Sequence, residues 1–328
     1  MIRIVLILLL AIMGITALGL SHGDYPIPIA AVVGALGGDA GTPPQIAMIV
    51  VDMRLPRLAM GLLVGLALAT AGAVAQAVMR NPLAEPGLLG INSGAALAAM
   101  ILIVGFRGGL DHLLPAVSFA GAAGMALAIY ILSWRHGTSS LRIILIGIGL
   151  SSLGGAATTF LAAFGDIRDV QRAMVWLAGS VYDSNWGKVQ NLFVWTALPL
   201  ALTWMAAREL DTIAFGELTA RSLGQRVNLI RGLMLLICTL LSGAAVAAAG
   251  LIGFVGLVAP HMARRLVGHR HTRLIPTAAL IGALIVMAAD FAGRTIIAPA
   301  QLPAGLMTVL LGAPFFAWLM WERRHVAA

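Results

Sequence analysis

The sequence predicts an all-α, polytopic membrane protein with about ten transmembrane helices. Of its 328 residues, 60% are hydrophobic and only 10% are charged, and the mean hydropathy is +0.97. Soluble globular chains carry about 25% charged residues. The apolar stretches are continuous, whereas a transmembrane barrel needs alternating polar and apolar residues. Helices satisfy every backbone group within the bilayer, so they are the expected way for this chain to cross it.

Ten apolar stretches mark the predicted spans. They cover residues 1–20, 58–79, 91–106, 114–133, 141–163, 189–207, 232–249, 251–267, 274–293 and 304–321, and the eighth is the weakest. The first could be a cleaved signal peptide, but a retained span is favoured because membrane protein follows it. Two proline pairs in the 21–53 loop enclose a weakly apolar predicted helix. The RNPLAEPGLLG segment, 80–90, predicts a tight turn.

The distribution of charge predicts the orientation. With ten spans, 14 of the 21 basic residues fall on the side of the N-terminus, together with five of the 13 acidic ones. The opposite side has seven basic and eight acidic residues, so the net charges are +9 and −1. Because basic residues concentrate in cytoplasmic loops, both termini are expected to be cytoplasmic.

The segment 208–231 interrupts the apolar pattern on the cytoplasmic side. It holds seven of the chain's 34 charged residues in 24 positions, and the 32 residues after it hold none. We predict a helical hairpin in which Gly216 and Gly224 bracket a short helix, 217–223. Arg208 and Arg231 at its two ends are interpreted as membrane-surface anchors.

The sequence contains no recognisable catalytic or nucleotide-binding motif. A phosphate-binding loop, an HExxH pair, a paired-cysteine metal site and a GxSxG elbow are all missing. His261, His269 and His271 lie in a basic loop and are interpreted as interfacial charge, so no metal site is expected. Cys238 is the single cysteine and is interpreted as a small core residue. We therefore expect no enzymatic activity in this chain.

Buried charge is nearly absent from the predicted spans. Asp290 is the exception, and it lies one helical turn before Arg294, which suggests a neutralising pair on one helix face. Proton or sodium coupling through buried carboxylates thus has little support. If the chain moves a solute, the energy is expected to enter from another subunit. The alternative is a secondary transporter or channel that works alone.

Small side chains form two kinds of pattern. Glycines at helix-packing spacings are expected to let spans approach closely; they are Gly61 and Gly65, Gly90 and Gly94, and Gly250, Gly253 and Gly256. In the fifth span, small and hydroxyl residues share one helix face, namely Gly147, Ser151, Gly154, Gly155 and Thr158. This face is either a helix-packing surface or the lining of a polar pathway, and the sequence leaves both open.

Basic residues mark the outer mouth of the second span. Arg54 and Arg57 flank Pro56 three residues apart, so they share a helix face, and both are expected to be solvated. They are either ordinary interfacial arginines or a basic patch for an acidic partner. Arg294 could join the patch from the ninth span.

Five stretches together resemble the FecCD family of permeases. They are 54–98, 176–186 (WLAGSVYDSNW), 214–224 (AFGELTARSLG), 251–268 (LIGFVGLVAPHMARRLVG) and 289–319, and the resemblance covers essentially the whole chain. It implies the fold of a type II ABC importer permease, with residues 1–328 as one transmembrane domain. Such permeases take up iron–siderophore complexes, haem or cobalamin. The 261–273 loop and the last two spans look most like ferric citrate and hydroxamate permeases, which favours a ferric siderophore.

The resemblance also implies partners and a location. The permease is expected to pair with a second copy or a sister chain in the bacterial inner membrane. Two ATPase subunits would bind ATP and magnesium on the cytoplasmic side, and a periplasmic binding protein would deliver the substrate. The permease itself is expected to bind no cofactor.

Residue roles follow from the family motifs. The coupling helices that contact the ATPases match residues 212–226, with the pattern carried by Ala214, Gly216, Glu217, Ala220, Arg221, Leu223 and Gly224. Arg54, Arg57 and Arg294 match arginines that meet glutamates of the binding protein. Thr138, Ser139 and Ser140 match a hydroxyl-bearing cytoplasmic gate just before the fifth span.

Overall fold

The computed structural model describes residues 1–106, 109–135 and 137–324, and within them the chain forms fifteen α-helices and no strand. The helices are α1 (Ile2–Ser21), α2 (Ile29–Gly37), α3 (Pro44–Ala47), α4 (Leu55–Met79), α5 (Ile91–Gly105), α6 (Leu114–Ser133), α7 (Ser140–Phe164), α8 (Ile167–Leu177), α9 (Trp186–Met205), α10 (Ala207–Ala214), α11 (Glu217–Ser222), α12 (Val227–Ala249), α13 (Val255–Val267), α14 (His271–Thr295) and α15 (Ala304–Arg324). A π-helical segment, Met48–Arg54, leads directly into α4.

Helix α4 is the centre of the bundle. Most of its residues are buried, and α9, α12, α13 and α14 pack around it. Helices α5 and α6 form a second layer that carries α7 on its outer side. By contrast, most of α7 is exposed in the single chain. A helix that is apolar on all sides lies either in a protein core or in lipid. Helix α4 is an example of the first case, and α7 has the exposure expected of the second.

Glycine contacts set several close helix approaches, and Gly65 and Gly256 are two of the glycines that the spacing predicts. A Cβ at Gly65 of α4 would lie 2.3 Å from the carbonyl oxygen of Gly282 in α14, and one at Gly72 would lie 1.9 Å from that of Gly256 in α13. No side chain fits at such distances. Gly61, one turn earlier, is different because its Cβ would meet its nearest neighbour at an ordinary 3.5 Å. Helices α4, α13 and α14 therefore pack backbone to backbone.

A helix lies at each of the ten predicted spans. In the described chain, six helices are long and apolar enough to cross a membrane, or seven if α9 and α10, bent by 57°, form one span. Helix α5 and residues 304–317 of α15 are apolar but shorter. The weak eighth span proves short, because α13 has 13 residues, or roughly 20 Å. Left-handed backbone at Gly250 and Phe254 delays its start.

Two shorter helices bear on the sequence predictions. The weakly apolar helix predicted between the proline pairs is confirmed as α2. Helix α8 was not predicted. Its signals were present in the sequence: Asp166 caps the first turn by accepting a hydrogen bond from the Arg168 amide at 2.9 Å, and the residues that follow have amphipathic spacing.

Candidate functional site

The polar segment 208–231 forms the predicted helical hairpin. Helix α10 ends at Ala214, and α11 begins at Glu217. Between them, Gly216 has a φ of 118°, which glycine adopts readily but which strains other residues. Gly224 has a φ of 81° and turns the chain into α12. The prediction that these glycines bracket a short helix is confirmed. An Arg80 guanidinium beside Gly216 places the end of α4 against this turn.

The tip of the hairpin exposes large apolar side chains. Phe215, Leu218 and Leu223 are 74%, 85% and 68% exposed, and Arg221 is exposed among them. We call these four residues the hairpin face. Of the other predicted coupling residues, Ala214 and Gly224 are exposed, Glu217 is half-buried, and Gly216 and Ala220 are buried. Phe215 and Leu218 carry the largest apolar exposure and were missed, although apolar residues in a charged loop are a usable signal.

Arg231 is not a membrane-surface anchor, and that prediction is wrong. Its side chain is fully buried, at 0% exposure, near the start of α12. Its Nη2 donates to Glu217 Oε1 at 2.5 Å, and its Nη1 donates to the carbonyl oxygen of Thr138 at 2.5 Å. A buried guanidinium needs such partners, because leaving its charge unpaired is costly. One residue thus joins the predicted coupling helix to the predicted gate.

The predicted gate residues lie where α7 begins. Thr138 is buried, and its amide donates to Asn228 Oδ1 in α12 at 3.4 Å. Ser140 Oγ donates to the carbonyl oxygen of Val78 at 3.0 Å. Ser139 is half-buried between them. The segment is therefore held by the end of α4 and the start of α12, and its role as a gate stays a prediction.

A hydrogen-bonded pair, Asp211 and His271, holds the hairpin to α14. Asp211 of α10 accepts hydrogen bonds from the backbone amide of His271 at 2.9 Å and from its Nδ1 at 2.6 Å. The first bond satisfies an unpaired amide at the start of α14. Within the hairpin, Gln225 Nε2 donates to Glu209 Oε2 at 2.5 Å. These contacts give the hairpin fixed attachments to the membrane helices.

At the opposite end of the bundle, the three predicted docking arginines are buried, so the expectation that Arg54 and Arg57 are solvated is wrong. Arg54, Arg57 and Arg294 are 8%, 8% and 5% exposed. Arg54 Nη1 donates to the carbonyl oxygen of Leu20 at 2.6 Å, and Arg294 Nη2 donates to that of Gly19 at 2.8 Å. Both carbonyls belong to the last turn of α1, whose unpaired acceptors attract cations.

Asp290 pairs with Arg57 rather than with Arg294. The Arg57 Nε lies 3.0 and 2.9 Å from the two Asp290 carboxylate oxygens, and Nη2 lies 2.8 Å from Oδ1. Arg57 Nη1 also donates to Gln301 Oε1 at 2.9 Å, and the Tyr182 ring centroid is 5.2 Å from its Cζ. The expected pair between neighbours on α14 is therefore replaced by a pair between α4 and α14.

Although Arg57 is buried, its side chain lines a cavity. The cavity of about 1730 Å³ at this end of the bundle is lined by Arg57 and Gln301 on one side and by Arg172 and Lys188 on another. Its walls include Phe119 and other apolar residues of α6, α9 and α12. Of the three predicted docking arginines, Arg57 lines this cavity, whereas Arg54 and Arg294 do not.

Part of the predicted fifth-span face packs inside the subunit. A Cβ at Gly147 would lie 2.0 Å from the Leu88 carbonyl oxygen, and Gly154 faces Met125 and Ser93. Thr158 Oγ1 bonds back to the Gly154 carbonyl at 2.9 Å. Ser151 Oγ is buried without a partner. Gly147 and Gly154 therefore pack within the subunit, which favours the helix-packing interpretation for them. For Ser151 and Thr158, both half-buried, the pathway interpretation stays a prediction.

The opposite face of α7 is exposed on the surface of the subunit. Gly155 lies on this face, and a Cβ added there would have no other atom within 4 Å. Ser152 and Thr159 are also exposed there, beside Gly149 and Ala156. Their hydroxyls bond to carbonyls one turn earlier, at 2.9 and 3.0 Å. The small and hydroxyl residues that can meet another molecule are thus mostly ones that the sequence prediction did not choose.

Comparison with known proteins gives the family. The model of the FecCD transport family matches residues 7–322. The chain belongs to the FecCD transport family. This permease is 40% identical to the iron(3+)-hydroxamate import permease FhuG of Bacillus subtilis, over 83% of each chain. It is also 40% identical to the hemin transport permease HmuU of Yersinia pestis, over 84% of this chain and 83% of that protein.

A solved structure agrees with the family. This permease is similar, with a TM-score of 0.88 and 30% identity, to a metal-chelate type ABC transporter in an inward-facing conformation. The match covers 98% of this chain and all of that one. The predicted fold and the family resemblance are confirmed. The chain is a membrane-embedded transport permease of the ABC importer type and not itself an enzyme.

Proposed function

We propose that this permease imports a ferric siderophore across the bacterial inner membrane, with both termini in the cytoplasm. It works with a second permease copy or a sister chain, two ATPase subunits and a periplasmic binding protein. ATP and magnesium bind to the ATPases, and the permease binds no cofactor. Haem and cobalamin are the alternative substrates within the family.

The hairpin face is the observation that carries the proposed coupling. Phe215, Leu218 and Leu223 are strongly exposed on the hairpin. The charge distribution supports a cytoplasmic position for this hairpin, where no lipid would cover the three side chains. Exposed apolar clusters of this kind mark protein–protein contacts. The sequence holds no phosphate-binding loop, so an ATPase subunit is the partner that supplies energy at this face.

A second permease copy fits the exposed face of α7. Ser152, Gly155 and Thr159 lie on a surface that the subunit itself leaves uncovered. Small residues favour close helix contacts, and hydroxyls suit a polar passage better than lipid. We place the substrate pathway between two copies at this face. The other face of α7 lies toward α5 and α6 and carries Gly147, Ser151, Gly154 and Thr158.

The alternative of a stand-alone secondary transporter is weakened by the state of Asp290. A proton- or ion-coupled carrier needs an intramembrane carboxylate that exchanges its ligand. Asp290 instead makes a multiply bonded pair with Arg57, which leaves little capacity for a transported cation. ATP-driven transport needs no such carboxylate.

The proposal is tested by isolating the complex and offering it a panel of substrates. The tagged permease is purified from its native membranes, and co-purifying proteins are identified by mass spectrometry. The complex is then reconstituted with its binding protein, and ATP-dependent uptake is measured for ferric hydroxamate, ferric citrate, haemin and cyanocobalamin. We expect an ATPase to co-purify and a ferric siderophore to accumulate. Uptake without ATP would contradict the proposal, and haemin or cobalamin uptake would reassign the substrate.

A further inference from the structure

We infer that Arg231 is the positioning residue that makes the coupling helix α11 and the segment before α7 move as one piece. This inference rests on the proposed ATPase coupling and adds the route by which movement travels. Arg231 touches Glu217, the first residue of α11, and Thr138, two residues before α7. The two partners are 79 residues apart in the sequence, yet a single guanidinium bridges them.

The geometry of the guanidinium explains why an arginine is needed. Its planar fork holds two donors at a fixed spacing: Nη2 binds Glu217 Oε1 at 2.5 Å, while Nη1 binds the Thr138 carbonyl at 2.5 Å and Thr138 Oγ1 at 3.1 Å. A lysine ammonium is one point charge on a flexible stem and does not reproduce this spacing. The bridge is therefore stiff as well as charged.

Burial makes the bridge hard to break. The side chain of Arg231 is 0% exposed, and that of Glu217 is 30% exposed. If α11 moved away while Thr138 stayed, the guanidinium would lose its counter-charge inside the protein, which is strongly unfavourable. The low-energy response is for Glu217, Arg231 and Thr138 to move together. A displacement of α11 by a bound ATPase is then delivered to the start of α7.

The neighbouring contacts direct that displacement. The Thr138 amide bonds to Asn228, and Asn228 and Arg231 lie on the first turns of α12. Ser140 Oγ bonds to the Val78 carbonyl at the end of α4. The segment 137–140 is therefore attached to α12 on one side and to the central helix on the other. Movement at α11 reaches α7 through the first of these attachments.

A labelling experiment tests the inference without knowledge of the substrate. The full complex with its co-purifying ATPase is reconstituted in nanodiscs, with Cys238→Ala and Ser139→Cys as the background. The rate at which a polar maleimide modifies position 139 is measured with and without ATP plus orthovanadate. We expect the nucleotide to change the labelling rate at least about fivefold, the lower end of usual coupling between sites.

Substitutions then isolate the bridge. In Arg231→Lys, and separately in Glu217→Gln, the nucleotide-dependent change at position 139 should vanish. Arg231→Lys, whose side chain is fully buried, should still bind the ATPase and support ATP hydrolysis. Thr138→Val should give an intermediate change, because the carbonyl contact survives. Arg208→Met is the matched control: it removes one exposed cytoplasmic charge from the same hairpin and should leave the change intact.

The outcomes separate this inference from the proposed function. If no ATPase accompanies the unsubstituted permease, the proposed function fails. If the ATPase is present but position 139 labels equally with and without nucleotide, the bridge carries no movement. The inference is also overturned if Arg231→Lys and Glu217→Gln respond to nucleotide as Arg208→Met does. Should Arg231→Lys fail to assemble, Glu217→Gln decides, since this half-exposed side chain can be replaced without leaving a void.

Discussion

Arg57 of α4 and Asp290 of α14 form a buried ion pair in which the guanidinium approaches both carboxylate oxygens within 3.0 Å. The two residues are 233 positions apart in the sequence. Their pair joins α4 and α14, the two helices with the most extensive contact in the bundle, at the end opposite the hairpin. Arg57 is also the central member of the predicted docking patch, so the pair fixes the position of a predicted docking residue.

The first prediction concerns the stability of the pair. Arg57→Met leaves the Asp290 carboxylate buried and unpaired, and we expect it to lower the unfolding free energy by about 3–5 kcal/mol. The double variant Arg57→Met/Asp290→Leu removes both charges and should recover most of that loss. Cys238 is buried and is the only cysteine, so a thiol-reactive fluorescent dye reports unfolding directly. Equal melting temperatures for the single and double variants would contradict this role.

The second prediction concerns docking. If acidic residues of the binding protein reach Arg57 through the outer cavity, they compete with Asp290 for the same guanidinium. Asp290→Asn should then tighten binding of the binding protein to the permease in nanodiscs, most clearly at low salt. The comparison variant is Asp183→Asn, which frees the exposed Lys188 instead. Unchanged or weaker binding in Asp290→Asn would remove Arg57 from the docking surface.

A third prediction concerns the glycine contact between α4 and α14. Gly65→Ala places a Cβ 2.3 Å from the Gly282 carbonyl oxygen, so the helices must separate. We expect a loss of about 1–3 kcal/mol in unfolding free energy. Gly61→Ala is the matched control one turn away, where the added Cβ meets its nearest atom at 3.5 Å and alanine favours the helix. Equal effects of the two substitutions would argue against backbone packing here.

Glu85 supplies a prediction about pH. It lies in the turn between α4 and α5, and burial raises the pKa of its carboxyl above the ordinary 4.5. A raised pKa in the folded state means that stability is highest below 4.5 and falls as the pH rises through the folded-state pKa. Glu85→Gln should therefore melt above the unsubstituted chain at pH 7.5, with the gap narrowing toward pH 4.5. The exposed Asp52→Asn serves as control, and tryptophan fluorescence gives the melting curve.

The sequence was sufficient for the ten spans, the hairpin and the family, but not for helix α8 or for the pairing of polar groups. The ten spans, the hairpin and its two glycines follow from local patterns of hydropathy and backbone freedom. Arg231 looked like an interfacial anchor because nothing local shows that Thr138 lies beside it. Asp290 was assigned to Arg294 for the same reason: the sequence shows i, i+4 neighbours, whereas Arg57 comes from a helix 233 residues away.

The face of α7 shows a related limit. The regular spacing of Gly147, Ser151, Gly154 and Thr158 identifies a stripe of small residues but not what the stripe meets. A packing surface and a passage both need small side chains. Only the positions of α5 and α6 decide that Gly147 and Gly154 are covered and that Gly155 faces outward.

The central claim is that the hairpin face receives energy from an ATPase subunit. The most direct measurement is the amount of ATPase retained on the tagged permease when Leu218, 85% exposed, is changed to Asp. A buried charge at an interface centre costs 2 kcal/mol or more, so about tenfold or greater loss of retained ATPase is expected. Tyr25→Asp, an exposed residue at the opposite end, should retain the full amount. Equal retention in Leu218→Asp would contradict the account.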